Sequence, residues 1–263
     1  MKKNLLCAAA LASLASLAGT ASAENTENFL GYQNGFADIN VNYLDWSRHT
    51  ENKSKNTTHK EDFAYFELEG GANFNWGELY GFFDVENPFN KQHEDPGKNQ
   101  RYTLKTTARV YLADTGFNLY GHVYGTWSLP GDKHGGNFHE VNTLYGVGYN
   151  TSIGNLWFKP FVALHYVDQT YYSGNNGYVV GWVAGYNFKM FQEDFMVTNW
   201  HEMEFARHKR YGNGGRDGVN GALAFWWNAT PHLSAGLQYR YADNKLGDDF
   251  YQDGLIYTLK YNF

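Results

Sequence analysis

Ionisable and aromatic side chains recur at alternate positions along several stretches of the chain, a spacing that places them on one face of a β-strand. Carboxylates and guanidinium groups can hydrogen-bond hydroxyl groups, and aromatic planes can stack on flat rings. Such a set suits a small polar solute that carries an aromatic ring and a sugar. The plainer interpretation of any single residue is a polar interior in which acids pair with bases. The candidate solute-binding residues are Glu67, Glu69, Tyr80, Phe82, Asp84, Lys105 and Arg109.

Patterns for catalysis or metal binding are weak. Neither G-x-S-x-G nor H-E-x-x-H occurs, and the run from His201 to Glu204 has the wrong spacing for a zinc-binding helix. Asp248, Asp249 and Asp253 could hold a calcium ion, but a solvated acidic loop explains them more simply. We therefore predict no catalytic residue, no metal site and no cofactor.

The elements that must position the candidate residues are β-strands. From Phe36 onward, twelve stretches of about ten residues alternate apolar and polar positions, and no stretch has a sustained helical period. Between Ala64 and Phe74, for example, the even positions are apolar or small, whereas Glu67 and Glu69 lie on the opposite face. The predicted fold is all-β, an antiparallel transmembrane barrel of about twelve strands.

The connections between these stretches alternate in length. Short turns such as 75–77 and 229–231 follow one strand, and long polar segments follow the next. An outer-membrane barrel has short periplasmic turns and longer extracellular loops. The predicted long loops are 49–61, 88–100, 129–138, 168–177, 206–217 and 243–252.

The first residues have the features of an export signal. Lys2 and Lys3 precede a short apolar stretch, and Ala21 to Ala23 forms a small-residue cleavage site. We predict a cleaved signal peptide at 1–23 and a single barrel domain at 24–263. The sole cysteine, Cys7, lies within the signal, so a disulfide framework is excluded. The net charge of −6 argues against binding a nucleic-acid polymer, which needs a basic surface.

A soluble β-sandwich or lipocalin-type barrel would also alternate, but two observations favour a membrane barrel. The polar face carries more charge than a dry core tolerates, with acids and bases on consecutive strands. Aromatic residues also gather near strand ends, as in the girdles that mark membrane interfaces. These residues are Trp46, Trp127, Phe188, Tyr239, Tyr241, Tyr261 and Phe263.

Twelve strands predict a narrow lumen, because eight strands leave an interior filled by side chains and sixteen leave a wide channel. One strand is irregular in the sequence. Between Phe195 and Phe205, alternation places Asn199 and His201 on the same face as Val197 and Met203. This pattern predicts either a bulge or a strand whose end rises above the membrane.

Two of these stretches resemble the start of a known family. The run Tyr65-Phe66-Glu67-Leu68-Glu69, then Trp76, then the strand from Leu79 to Val85, is similar to the Tsx-like nucleoside-specific channel-forming proteins, including the OmpK-like members. The resemblance implies a monomeric twelve-stranded barrel in the bacterial outer membrane, embedded in lipid, that passes nucleosides and similar small solutes passively. It also implies that the long loops act as a docking surface for phages or colicins.

Two other functional classes stay open at this point. The first is a receptor or structural barrel with no nucleoside selectivity, which the long loops alone would allow. The second is an outer-membrane enzyme, which would need a nucleophile, a base and an orienting group within hydrogen-bond reach. A nucleoside-dependent block of channel current would distinguish a selective channel from both.

Overall fold

The chain forms a closed antiparallel β-barrel in the computed structural model, which describes residues 29–89, 100–128, 138–211 and 215–263. Twelve long strands and one three-residue strand, β7, make up the sheet. They are β1 (Tyr32–Trp46), β2 (Phe63–Phe74), β3 (Gly77–Glu86), β4 (Arg101–Tyr111), β5 (Phe117–Ser128), β6 (His139–Tyr149), β7 (Thr151–Ile153), β8 (Leu156–Gln169), β9 (Tyr172–Met190), β10 (Glu193–Phe205), β11 (Gly218–Thr230), β12 (Leu233–Asp243) and β13 (Gln252–Asn262).

Each strand pairs with its neighbours in the sequence, and two further pairings close the ring. The first and last strands pair from Asp38 with Asn262 to Trp46 with Gly254. Strand β6 pairs with β8, while β7 continues the β6 side of the same hairpin and pairs with the start of β8. The prediction of twelve strands is confirmed, because β7 adds no separate crossing. No helix in the described part of the chain is long and apolar enough to cross a membrane.

The two faces of the sheet differ as the alternation predicted. On β1, Ile39 and Val41 face outward and Val41 is 52% exposed, whereas Asp38 and Asn40 face the lumen and are buried. Val41 is paired with Leu259 of β13, which is also exposed. Apolar side chains on the outer face are stable only against lipid, so the exposed band marks the membrane-facing surface.

The two ends of the barrel also differ. One end, here called the turn end, holds both described termini and short connections such as Asn75-Trp76 and Phe191-Gln192. At the other, here called the loop end, segment 47–62 contains a short helix, α1 (Arg48–Ser54), capped by the Ser47 hydroxyl. A helix of seven residues is too short to show a sustained period in the sequence. Two of the six predicted long loops, 88–100 and 129–138, lie almost entirely outside the described residues.

Two predicted boundaries are wrong. The prediction of a long loop at 168–177 is incorrect, because β8 and β9 pair up to Gln169 and Tyr172 and are joined by a two-residue turn. A register shift at Leu164 lets the hairpin continue past a stretch of Gly, Asn and Ser that resembles a loop. Strand β1 also begins at Tyr32, four residues before the predicted start.

The register of β10 is regular along its whole length. Asn199 and His201 do face outward, and neighbouring side chains satisfy them. The Trp182 indole donates to the Asn199 side-chain oxygen at 2.7 Å, and the Asn199 amide donates to the Ala222 carbonyl at 2.8 Å. His201 Nδ1 lies 2.8 Å from the Tyr241 hydroxyl. The predicted bulge is therefore wrong, and a strand end raised above the membrane stays a prediction.

Candidate solute site in the barrel lumen

All seven candidate residues lie on the lumen face, and strand pairing brings most of them side by side. Glu67 is paired with Asp84, Glu69 with Phe82, and Phe82 in turn with Lys105. Arg109 lies further toward the turn end, opposite Glu78. The predicted faces of β2, β3 and β4 are therefore correct. Whether each of these groups can bind a solute depends on its hydrogen bonds and salt bridges within the protein.

Arg109 is the centre of a closed network near the turn end. Arg109 is 2% exposed, and its guanidinium donates to the Lys159 carbonyl at 3.0 Å and to the Asn150 side-chain oxygen at 3.2 Å. Its Nε lies 3.4 Å from Glu78 Oε1, and the Lys159 ammonium donates to the other Glu78 oxygen at 2.6 Å. The guanidinium also lies 4.8 Å from the centroid of the Tyr120 ring. With so many donors engaged, Arg109 holds the barrel wall together.

Glu69 is committed in a similar way. The Lys260 ammonium donates to one of its oxygens at 2.7 Å, and the Tyr80 hydroxyl donates to the other at 2.6 Å. Lys260 also lies 3.2 Å from Asp38. This arrangement fixes the Tyr80 ring, which meets Phe82 edge to face with the centroids 6.5 Å apart. Tyr80 and Phe82 therefore present ring surface, rather than a free hydroxyl, to the lumen.

Glu67 and Asp84 differ from these two residues. They are directly opposite each other, and among the described residues neither forms a salt bridge. Glu67 accepts a hydrogen bond from the Asn40 amide at 2.6 Å, and its side chain is also hydrogen-bonded to that of Asp84. Asp84 Oδ1 is buried and has no hydrogen-bond partner within the described chain. A buried acceptor without a donor is costly, so this pair can gain stability from a ligand or water that donates to it.

Lys105 belongs to a bar of side chains that crosses the lumen. Its ammonium has no hydrogen-bond partner in the part of the chain that is described, and it lies 5.5 Å from the centroid of the Trp200 ring on β10. The Arg240 guanidinium lies 4.7 Å from the same ring. Strand β10 is five steps from β4 around a ring of twelve, so the two strands are nearly opposite. Contact between them confirms that the lumen is narrow here.

The family of the chain follows from its sequence as a whole. The sequence profile of the family described as nucleoside-specific channel-forming protein, Tsx, matches residues 41–263. The chain belongs to this family. It is accordingly a channel of the bacterial outer membrane, and its selectivity for nucleosides follows from the family. The resemblance carried by Glu67, Glu69 and the strand from Leu79 to Val85 is confirmed.

Several solved outer-membrane barrels have a similar shape at low sequence identity. The NanC porin is 9% identical, with a TM-score of 0.48 over 86% of this chain and 100% of that one. An outer-membrane channel from Pseudomonas putida F1 is 12% identical, with a TM-score of 0.45 over 91% and 99%. DcaP of Acinetobacter baumannii is 12% identical, with a TM-score of 0.40 over 88% and 96%. Likenesses this distant carry no argument about solutes.

The sequence of this Tsx-family channel did not indicate Trp200 as a site residue. Arg240 was also not among the predicted site residues. Trp200 lies between Asn199 and His201, whose polarity obscured the alternation of β10. Glu202, two residues further on, points into the same lumen and has an oxygen 3.9 Å from His122 Nδ1. Strict alternation along β10 would have predicted that Trp200 faces the lumen. It would not have predicted the contact with Lys105, because that contact depends on which strands lie opposite each other in the closed barrel.

Two of the three acidic residues considered for calcium, Asp248 and Asp253, have protein partners. The Thr58 hydroxyl donates to Asp248, and the Ser47 hydroxyl donates to Asp253 Oδ1 at 2.6 Å. The first bond ties segment 47–62 to segment 244–251 at the loop end, and the second ties it to the start of β13. Among the described residues, no group of three or more metal-ligating side chains is present.

Proposed function

We propose that the Tsx-family channel selects nucleosides where the Glu67–Asp84 pair faces the Lys105–Trp200–Arg240 bar. The observation that carries this proposal is the unused hydrogen-bonding capacity of Asp84 Oδ1 and of the Lys105 ammonium, in a lumen where neighbouring charges are paired. Ribose hydroxyl groups would donate to the two carboxylates. Lys105 would donate to an acceptor on the edge of the base.

The aromatic part of the solute would lie against ring surface. Tyr80 and Phe82 are held next to the carboxylate pair, and the Tyr80 hydroxyl is occupied by Glu69. Hydrogen bonds to charged acceptors contribute about 1.5–3 kcal/mol each, and stacking contributes on the order of 1–3 kcal/mol. Gains of this size permit binding that is selective but weak enough for release, which passive conduction requires.

Conductance with and without nucleosides tests the proposal. Purified protein in planar bilayers should form small channels, and added adenosine or thymidine should interrupt the current transiently. Asp84→Ala or Tyr80→Ala should weaken this block more than Tyr102→Ala, because Tyr102 faces outward and stacks on Phe83. Equal block in all three variants would refute the site. An unblocked wild-type current would refute nucleoside binding in this lumen.

We also propose that the chain works as a monomer, because one chain closes the barrel and completes the lumen. Its apolar outer band would contact membrane lipid on all sides. Phages or colicins would dock at the loop end, where segments 47–62 and 244–251 are tied together.

The signal peptide at 1–23 and the single domain at 24–263 stay predictions. We expect no hydrolysis of lipids or peptides, and turnover lost on replacing one histidine would reverse that expectation.

A further inference from the structure

The segment that follows β10 turns into the mouth of the barrel at the loop end. Ala206 has φ 54°, which reverses the chain direction at the end of the strand. The turn passes very close to Gly177 of β9, where a Cβ atom would lie 2.0 Å from the Phe205 carbonyl oxygen. Only glycine allows this approach. The segment from Ala206 to Tyr211 is therefore directed inward by the backbone itself.

Side chains then anchor this segment. The Arg207 guanidinium donates to the Asp217 carbonyl at 2.7 Å, to the Gly215 carbonyl at 3.1 Å and to Glu204 at 3.3 Å. The His208 backbone amide donates to the Asn176 side-chain oxygen at 2.8 Å. Because these bonds reach β9 on one side and the residues just before β11 on the other, the segment has a defined position at the mouth.

Tyr211 lies at the end of this segment and is 4% exposed. Its hydroxyl donates to Glu140 Oε1 at 3.0 Å, and its ring meets His165 edge to face at 5.8 Å. Burial, Glu204 and Glu140 all raise the pKa of the phenol well above its usual value, so the hydroxyl remains a donor. The tyrosine is thus fixed against β6 and β8.

Lys245 reaches the same hydroxyl from the other side. Its ammonium donates to Tyr211 at 3.3 Å and also pairs with Glu204. Lys245 follows β12, which is five steps from β6 around the ring of twelve strands, whereas Glu140 lies on β6 itself. The contacts Glu140–Tyr211–Lys245 therefore join nearly opposite sides of the mouth. We call these three residues the crossbar.

We propose that the crossbar is an outer size filter, and that Tyr211 determines which solutes enter the lumen. A bar of side chains that occupies part of the mouth narrows the path, and pore diameter is a main determinant of what a channel passes. The filter would act before the lumen site and on any solute, with or without a base. It would admit single nucleosides and exclude larger uncharged molecules such as trisaccharides.

The test uses the full barrel in planar bilayers and in liposomes. Tyr211→Ala should raise single-channel conductance in plain potassium chloride about twofold or more, because it removes the ring from the mouth. It should also let a trisaccharide enter liposomes that the wild type excludes. Lys245→Met removes the other side of the crossbar and should shift both measurements in the same direction. The matched control is Tyr171→Ala, at the tip of the β8–β9 hairpin, where the tyrosine is 76% exposed.

Folding of each variant is checked first by the heat-dependent gel shift of an intact barrel. Folded Tyr211→Ala and Lys245→Met proteins with wild-type conductance and wild-type exclusion of the trisaccharide would overturn the proposal. A change of the same size in Tyr171→Ala would also overturn it. Nucleoside block measured in the same channels reports on the lumen site separately. A variant can therefore lose size exclusion and keep nucleoside block, or lose block and keep size exclusion. The first result concerns the crossbar, and the second concerns the lumen site.

Discussion

Two regions of the lumen contain the same kinds of side chain and use them differently. Around Arg109, near the turn end, the acid Glu78 and the bases Arg109 and Lys159 contact one another and the backbone. Around Asp84, the acids Glu67 and Asp84 lack a cation, and Lys105 lacks a hydrogen-bond partner among the described residues. Charged groups in this lumen therefore have two roles. Paired groups hold the wall, and unpaired groups are available to a solute.

The largest expected effect is on the paired region. Arg109→Ala should lower the free energy of unfolding by about 3–5 kcal/mol, because removal of one member of a buried ion pair leaves the other uncompensated. Urea denaturation of the barrel in lipid vesicles measures this. Lys189→Ala is the control, since Lys189 forms an exposed pair with Asp194 at 3.0 Å, and such pairs contribute about 0–1 kcal/mol.

In channels that do assemble, Arg109→Ala should leave the concentration of nucleoside for half-maximal block unchanged. A variant that keeps wild-type stability but loses block would reverse the assignment of Arg109 from the wall to the site. That result would remove the distinction between the two regions.

The second effect is on the unpaired region. Asp84→Asn keeps the shape of the side chain but replaces one carboxyl oxygen with an amide group, and it should weaken nucleoside block about tenfold, equivalent to about 1.4 kcal/mol. The unfolding free energy should stay the same or increase, because a buried acid with no cation partner is replaced by an amide that cannot ionise. Tyr102→Ala is the matched control for block. Destabilisation without a change in block would show that Asp84 belongs to the wall.

The smallest expected effect concerns ion selectivity. Lys105→Met removes an unpaired cation from the bar across the lumen, so the ratio of cation to anion permeability should rise about twofold to threefold. The reversal potential in a potassium chloride gradient measures this ratio. Lys189→Met, at the exposed turn end, should leave it unchanged. An unaltered ratio in Lys105→Met would mean that permeating ions do not pass near this ammonium.

The faces of the strands could be predicted from sequence because alternation has a period of two and the outer face must be apolar. The end of the β8–β9 hairpin could not be predicted, since its Ser173 to Asn175 stretch has loop-like composition although it pairs as a strand. A strand pair that extends beyond the membrane needs no apolar outer face. Its amino-acid composition can therefore be the same as that of a loop.

The candidate site was predictable only as a set of inward residues. Arg109 and Asp84 look alike in the sequence, since each is an ionisable residue at an inward position. What separates them is contact with distant strands, such as the bond from Arg109 to the Lys159 carbonyl, fifty residues away. Contacts across the lumen follow from the closed ring and not from the local pattern. The role of Trp200 could not be predicted for the same reason.

The seam between β1 and β13 has a consequence for how the protein is made. Asp38 and Asn262 are partners, so the ring cannot close until the final strand has been synthesised. Before that moment two strand edges are open, and unpaired backbone groups in hydrocarbon cost several kcal/mol each. Such contacts between distant parts of a chain also form slowly. The barrel can therefore insert stably only once β13 is available to pair with β1.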